Sequence, residues 1–542
     1  MRVFRADGSM TDLDSPVGLE SVPCDAVIGS DGSLSGAEVV PQKGVMEQAV
    51  RSIGLNTIYQ VGSQIAPAVA AIAAIPFLLQ HLGSEVFGIV TIISTALVYF
   101  TMLDLGLGRA STRFIAQSLE AGRPDDLRRY FWGSIILLGG IGAIVTAGCL
   151  LAVPAVASHL RIPPTHSRAA SESFYIICIT IPLVTLTATF RGFLEASGRF
   201  PLVSWVTGCS GVGNYALPAL AVARGGGLVA VAVAFALARV AMCGAFALGC
   251  LCADERPSLR PIFDVTAVRR MLSFGGWLSV SNIVGTAMIY CDRFLLGIWV
   301  GMAAVASYGT PLDLISRLQI LITSFCAVLF PLMSRLDKSG SAQFQTVYRG
   351  AVAISLSLMA PLATLAVVVA PVLMKVWLRD RNTPEAVFAA QVFLAGSVVQ
   401  SIASIAWTAL HARGRSDLTA WVHLAEFPLY CGVFYMAATR FGVGGAALAW
   451  LGRGIVDFLA MVVLLRTQRE ERTLTMPPEM VAAIVPVTIL LIAILPLREA
   501  AMMAAIVCAL TWIWTWRRLL GPTTRMQFAK VLLGRRDPRP VC

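Results

Sequence analysis

Charged side chains inside long apolar stretches are where this chain can do chemistry, because an ionised group in hydrocarbon costs several kcal/mol unless it is paired or wetted. Asp292 and Arg293 sit inside "GTAMIYCDRFLLGIWVG". Neighbours in sequence diverge on a helix and pair poorly with each other. Two readings follow: the residues face a polar cavity, or they make ion pairs with other helices. Asp313 with Arg317, and Arg453 with Asp457, are spaced i, i+4, which predicts structural or gating pairs on one helix face. Arg239 has no acidic residue at that spacing. Facing an aqueous vestibule it would attract a phosphate; otherwise it snorkels to the membrane surface. Asn56, Gln60 and Gln64 recur every four residues and so form a polar stripe. Lipid would leave their amides unsatisfied, so the stripe turns to a wet cavity or to other helices.

This is the chemistry of binding and passage. All four lysines, Lys43, Lys338, Lys375 and Lys530, follow residues other than glycine, which excludes a P-loop motor. The five histidines lack metal-ligand spacing, and none of the twelve cysteines forms a C-x-x-C pair. No cofactor, metal or disulfide is expected.

The elements that hold these residues are membrane helices. Of 542 residues, 57% are hydrophobic and 13% charged, against roughly 25% charged in soluble proteins, and the mean hydropathy is +0.75. Windows of about twenty apolar residues predict fourteen spans, the first at 54–80, the seventh at 274–300, the eighth at 303–333, the twelfth at 443–465 and the last at 500–516. Lys and Arg in alternate loops number 28 on one side and seven on the other, so both termini are predicted to be cytoplasmic. The net charge of +11 lies in these short loops and the tail, where it sets topology and meets anionic membrane lipids, not nucleic acid. Residues 1–47 are polar, without apolar period, and predict a disordered extension. No cleavable signal peptide is evident, and Met46 is a natural beginning for the folded part.

The chain repeats itself. "LEASGRFPLVSWV" from Leu194 and "LHARGRSDLTAWV" from Leu410 share Leu, Ala, Gly, Arg, Leu, Trp and Val in one frame. The copies link spans 4 to 5 and 10 to 11, six spans apart on one face, so the halves are parallel repeats. Arg224-Gly225-Gly226 and Arg440-Phe441-Gly442 follow at the same offset of 216, and Ser63-Gln64-Ile65 resembles Ser281-Asn282-Ile283, which makes Asn282 a counterpart of the stripe. The predicted architecture is an all-α polytopic membrane protein: an N-terminal six-helix bundle (48–252), a cytoplasmic linker (253–273), a C-terminal six-helix bundle (274–466), two further helices (467–516) and a basic cytoplasmic tail (517–542).

"FTMLDLGLGRASTRFIA" (100–116), "YCDRFLLGIWVG" (290–301) followed by "VASYGTP", and the two L-x-A-x-G-R turns resemble the Wzx-type polysaccharide and O-antigen flippases of the multidrug/oligosaccharidyl-lipid/polysaccharide exporter superfamily. The likeness spans about residues 48–516. It implies two six-helix bundles in a V that open alternately to either face of a bacterial inner membrane. The substrate implied is an undecaprenyl-diphosphate-linked oligosaccharide for surface polysaccharide biosynthesis, with a polysaccharide polymerase and glycosyltransferases as partners. Asp104 matches the family's D-L-G-L-G turn, and Asp292-Arg293 its D-R in span 7. Span 1 carries fewer arginines than the family's cationic cavity has.

Three rival functions bear on the same residues. A cation-coupled small-molecule or drug antiporter would favour acidic groups in the first bundle, where span 1 offers only amides. A membrane glycan polymerase or ligase needs large outer loops, which are missing here. A scaffold without transport has no use for Arg239 or the amide stripe.

Overall fold

The computed structural model describes residues 2–4, 10–12, 42–102, 107–254, 260–337, 341–467, 484–515 and 517. Near the start, β1 (Arg2–Phe4) and β2 (Met10–Asp12) pair antiparallel with Val3 opposite Thr11. Helix is already present at Gln42. β-branched Val3 and Thr11 favour a pleated pair locally even in a polar segment.

All else is helix: α1 (Gln42–Thr101), α2 (Leu107–Glu120), α3 (Pro124–His159), α4 (Pro164–Ile179), α5 (Ile181–Ala196), α6 (Phe200–Ala223), α7 (Leu228–Leu251), α8 (Val265–Trp299), α9 (Met302–Ser316), α10 (Gln319–Asp337), α11 (Ser341–Leu378), α12 (Pro384–Ala412), α13 (Ser416–Thr467), α14 (Val485–Ala493) and α15 (Leu497–Trp514). Among the described residues, eight stretches are long and apolar enough to cross a membrane. Two of them, 40 and 51 residues long, far exceed the twenty or so that one crossing needs. Each folds back at a glycine of positive φ: Gly83 in α1 (79°) and Gly442 in α13 (59°). With these two folded back, the eight supply ten crossings; α6 and α8 are also long enough to cross, whereas α14, at nine residues, is too short to do so by itself.

The repeat is visible in the turns. Gly198 and Gly414 have φ of 73° and 71°. Arg199 N–H donates to the Leu194 carbonyl at 2.9 Å, as Arg415 N–H does to Leu410 at 3.1 Å. Both are helix ends closed by a left-handed glycine, so L-x-A-x-G-R is a capping sequence. Gly83 and Gly301 form a pair that sequence comparison did not find, each with positive φ at a turn between two spans. At the remaining pair of turns the left-handed residue is Gly225 in one copy and Gly442 in the other. The alignment at offset 216 is thus one residue out there: the turn is decided by which residue can adopt positive φ, and Phe441 cannot do so cheaply.

In lipid, helices gain little from hiding apolar surface from one another, so close packing has to hold them. Accordingly α12, with Ala389, Ala395, Ala403, Ala406 and Ala409 buried, forms the axis of the second half and packs against α9, α10, α11, α13 and α14. In the first half α5 and α7 pack together, with α3 and α2 against α5 and with α4 and α6 against α7. The arginine-rich end of that half holds its own core of Phe131, Phe193, Leu194 and Phe246.

The two halves meet differently on the two faces. On the arginine-rich face α8 leans away from its own half onto α2 and α3. Asp264 caps its first turn, accepting from Thr266 N–H at 2.8 Å and Ala267 N–H at 3.3 Å, and Arg129 of α3 lies 3.7 Å away. The backbone N–H groups of Ala267 and Thr266, with Arg129 adding its charge, hold the Asp264 carboxyl below its ordinary value. This cap is fully formed above the unfolded carboxyl range and is lost as pH falls through the lowered value. On the opposite face the halves are tied by Arg161 N–H to the Gly297 carbonyl at 3.0 Å and by Trp377 Nε1 to the Ile72 carbonyl at 2.8 Å. There α1 approaches α9 so closely that a Cβ on Gly88 would lie 1.9 Å from the Met302 carbonyl oxygen.

Gly88→Val should therefore force the halves apart, costing about 1–3 kcal/mol or more, and lower the melting temperature and the monodisperse yield in detergent. Gly62→Ala, which meets nothing within 4 Å, serves as the control and should behave as wild type.

Candidate functional site

The turn at Gly301 lays the end of α8 against the start of α9, and the buried polar groups of the two helices meet there. Tyr308 donates its hydroxyl to Asp292 Oδ2 at 2.6 Å. Asp292 Oδ1 accepts the Arg293 backbone N–H at 2.8 Å. The Arg293 guanidinium donates from Nη2 to Asp313 on α9 and from Nη1 to the Thr95 hydroxyl on α1 at 3.2 Å. Asp292 is 0% and Arg293 5% exposed. These bonds tie α8 to α9 and α1, with Arg293 Nε buried and without a hydrogen-bond partner among the described residues, and Asp313, with 32% of its side chain exposed, reaches the edge of the network. Tyr290 lies with its ring centroid 5.9 Å from the guanidinium carbon, and Tyr99 meets Tyr290 and Phe294 edge-on or tilted.

The expected pairing of Asp313 with Arg317 does not form. Arg317 N–H and Leu318 N–H both bond three residues back, to Leu314 and Ile315, so the predicted eighth span breaks into α9 and α10. A tighter winding of about 3.0 residues per turn carries Arg317 off the face of Asp313. Its Nη2 donates instead to the Tyr215 hydroxyl on α6 at 2.6 Å, with the guanidinium carbon 5.8 Å from that ring. Arg293–Thr95 and Arg317–Tyr215 thus both run from the second half to the first.

The second expected pair, Arg453 with Asp457, is also redistributed. The two arms of α13 face each other, and Asp457 Oδ1 lies 3.3 Å from His423 Nε2 on the other arm. Arg453 places its guanidinium carbon 5.2 Å from the Tyr430 ring centroid, a cation–π contact. Glu426, between His423 and Tyr430 in sequence, is 7% exposed, and neither carboxylate oxygen has a hydrogen-bond partner among the described residues. His423, Glu426 and Tyr430 recur at i, i+3, i+7, a stripe legible in the sequence once α13 is taken as a helix. Tyr215, Tyr308 and Thr95 carried no such signal, since single hydroxyls in apolar runs are common.

Arg239 stands apart on α7. Its Nε is buried without a hydrogen-bond partner among the described residues. Gln64 is exposed. Asn56 and Gln60 lie on α1 and Asn282 on α8, with their side chains outside the described part of the structure, and Asp104 lies outside the described residues. Among the described residues no three His, Cys, Asp or Glu side chains converge as metal ligands would.

Truncating Arg293 to alanine leaves the buried Asp292 and the partly exposed Asp313 without their shared cation and should cost about 3–5 kcal/mol. A loss of membrane abundance and of melting temperature is the expected outcome, with recovery in Arg293→Met combined with Asp292→Asn and Asp313→Asn. Wild-type thermal stability of Arg293→Ala would show that the network carries no load.

Residues 53–337 match a family described as polysaccharide biosynthesis protein. A Shigella flexneri protein named "Putative O-antigen transporter" is 25% identical over 414 residues, 76% of this chain and 97% of that one. Among solved structures, the inward-facing conformation of a multidrug resistance MATE family transporter of the MOP superfamily is similar at a TM-score of 0.65 and 15% identity, covering 75% of this chain and 98% of that chain. Lipid II flippase MurJ in an inward closed conformation is similar at 0.65 and 12% identity, covering 85% and 99%. An outward-facing MATE conformation reaches 0.56 at 16% identity, covering 77% and 95%. The fold is that of these transporters, and the chain belongs to the polysaccharide biosynthesis protein family.

Proposed function

We propose that this protein is a flippase that moves an undecaprenyl-diphosphate-linked oligosaccharide from the cytoplasmic to the periplasmic leaflet of a bacterial inner membrane, by alternating access and without chemistry on the substrate. Family membership and the O-antigen transporter relative supply the substrate class. The observation that carries the mechanism is the asymmetry of the seam. The halves are tied on the face poor in basic residues, while the contacts deeper in, Arg293 to Thr95 and Arg317 to Tyr215, are polar and exchangeable. The higher similarity to inward-facing than to outward-facing relatives fits a chamber open toward the arginine-rich face, with both termini in the cytoplasm. In this reading 48–252 and 274–466 are the rocking bundles, 253–273 is the linker between them and 467–516 is an appended helix pair.

The division of labour follows from solvation. A prenyl tail stays in lipid at no cost, whereas sugars and a diphosphate are excluded from hydrocarbon and need a polar seam. Arg317, half-buried and, among the described residues, hydrogen-bonded to a phenol alone, is the group best able to trade its partner for a phosphate oxygen. Arg239, with no competing carboxylate, is a second phosphate contact. Gln64, with Asn56, Gln60 and Asn282, would solvate sugar hydroxyls. Asp292 and Arg293 act as the joint between the halves.

The test is leaflet accessibility of a lipid-linked glycan in proteoliposomes. Flipping should require the protein, and equal flipping in empty liposomes would reject the proposal; drug–cation exchange in its place would establish the antiporter reading. Arg317→Ala removes a charge-assisted hydrogen bond worth about 1.5–3 kcal/mol and should slow flipping roughly 10–100-fold, with membrane abundance retained. Arg239→Ala should likewise keep abundance and lower flipping.

A further inference from the structure

Among the described residues, Glu426 is the one buried carboxylate in the second half that the seam does not use. Its place is inside the membrane: it lies ten residues into the first arm of α13, ~15 Å along the helix at 1.5 Å per residue, with 7% of its surface exposed. Neither oxygen finds a donor among the described residues. A carboxylate in that position loses its hydration and gains no hydrogen bond in return, a cost of several kcal/mol even after relaxation. Something positive has to offset it.

The charges around it decide what that is. From its own arm His423 and Tyr430 face the site. From the second arm come Arg453 and Asp457. Behind Tyr430, α8 contributes Cys291 and Asp292, α9 contributes Tyr308 through its bond to Asp292, and His411 of α12 lies within reach of His423. Arg453 is the single permanent cation close to Glu426 and Asp457, and it is directed at the Tyr430 ring. Two carboxylates therefore share one guanidinium. A metal ion entering here would be repelled by Arg453, whereas a proton needs no ligand shell and neutralises the surplus charge in place.

We propose that Glu426, with the His423–Asp457 pair beside it, is a proton-binding site, and that its occupancy biases the seam between the two halves. The reaction is the addition of one proton to one carboxylate oxygen of Glu426, released again when the site is wetted. With Glu426 neutral, Arg453 is left to Asp457 and Tyr430. With Glu426 ionised, Arg453 is drawn away from Tyr430, which packs on Phe434 at 5.5 Å between ring centroids, and Phe434 packs on Tyr308 at 6.4 Å. Tyr308 holds Asp292, whose neighbour Arg293 bonds to Thr95 of the first half. This supplies a continuous physical route from the proton to the contact that must break for the halves to rock. The coupling half of the proposal rests on the flippase reading above; the binding half does not.

The experiment separates them. Infrared difference spectra of the purified full-length protein, titrated in pH with and without sodium, should show a titrating carboxylic acid C=O band that is lost in Glu426→Gln and insensitive to sodium. Glu426→Asp, which retains a titratable group, should shift the band and so covers the case in which the glutamine variant fails to fold. A band unchanged in Glu426→Gln, or one displaced by sodium, overturns the site. In proteoliposomes, wild-type flipping should respond to an imposed pH gradient and Glu426→Gln should lose that response; retention of the response by the variant overturns the coupling. Absence of flipping in the wild type would count against the flippase reading, and the infrared result would still decide the site.

Discussion

Burying an arginine between two transmembrane helices is the constraint around which the rest of this structure is arranged. Arg293 is 5% exposed and cannot shed its proton at any accessible pH, so the surroundings must neutralise it and occupy its donors. Asp313 supplies the charge, Thr95 a hydroxyl, and Asp292 a second carboxylate that Tyr308 in turn steadies. To bring these groups together, α8 and α9 have to turn back on each other at Gly301, and α1 has to come close enough at Gly88 for Thr95 to reach across. The tight packing of the opposite face and the polar joint at mid-membrane are thus two aspects of one requirement.

A joint of this kind suits a molecule that must change shape. Apolar packing between halves would be either too weak in lipid to define one state or too conforming to leave it. Hydrogen bonds to Thr95 and Tyr215 have a definite geometry and can be exchanged for water or for a polar ligand at small net cost. Placing the carboxylates on the same half as Arg293, with only a neutral hydroxyl across the seam, keeps the charge compensated when the halves part. The contact that breaks is the cheap one.

The second cluster obeys the same rule with one member short. Within α13 the acidic groups outnumber the permanent cation that serves them, and the imbalance lies inside one half, where rocking does not relieve it. That is why Glu426 stands out from the other buried carboxylates: Asp292 and Asp313 are fully accounted for by their neighbours, and Glu426 is not.

The membrane class, the all-helical fold, the parallel duplication and the capping glycines at Gly198 and Gly414 were determined by the sequence alone, because hydrocarbon permits only helices of a certain length and a left-handed turn favours glycine. The same local rules failed at Asp313–Arg317 and at Arg453–Asp457. Spacing of i, i+4 makes a pair available, but a helix that tightens at Arg317, or a better partner on a neighbouring arm such as His423, takes it away. Arg239 was legible as a basic residue without an acidic neighbour on its helix, and its Nε has no hydrogen-bond partner among the described residues. Tyr215, Tyr308 and Thr95 were not legible: a hydroxyl gains meaning only from what lies across from it, and that is decided by how whole helices pack, across the Gly301 turn for Tyr308 and over 102 and 198 residues of chain for Tyr215 and Thr95.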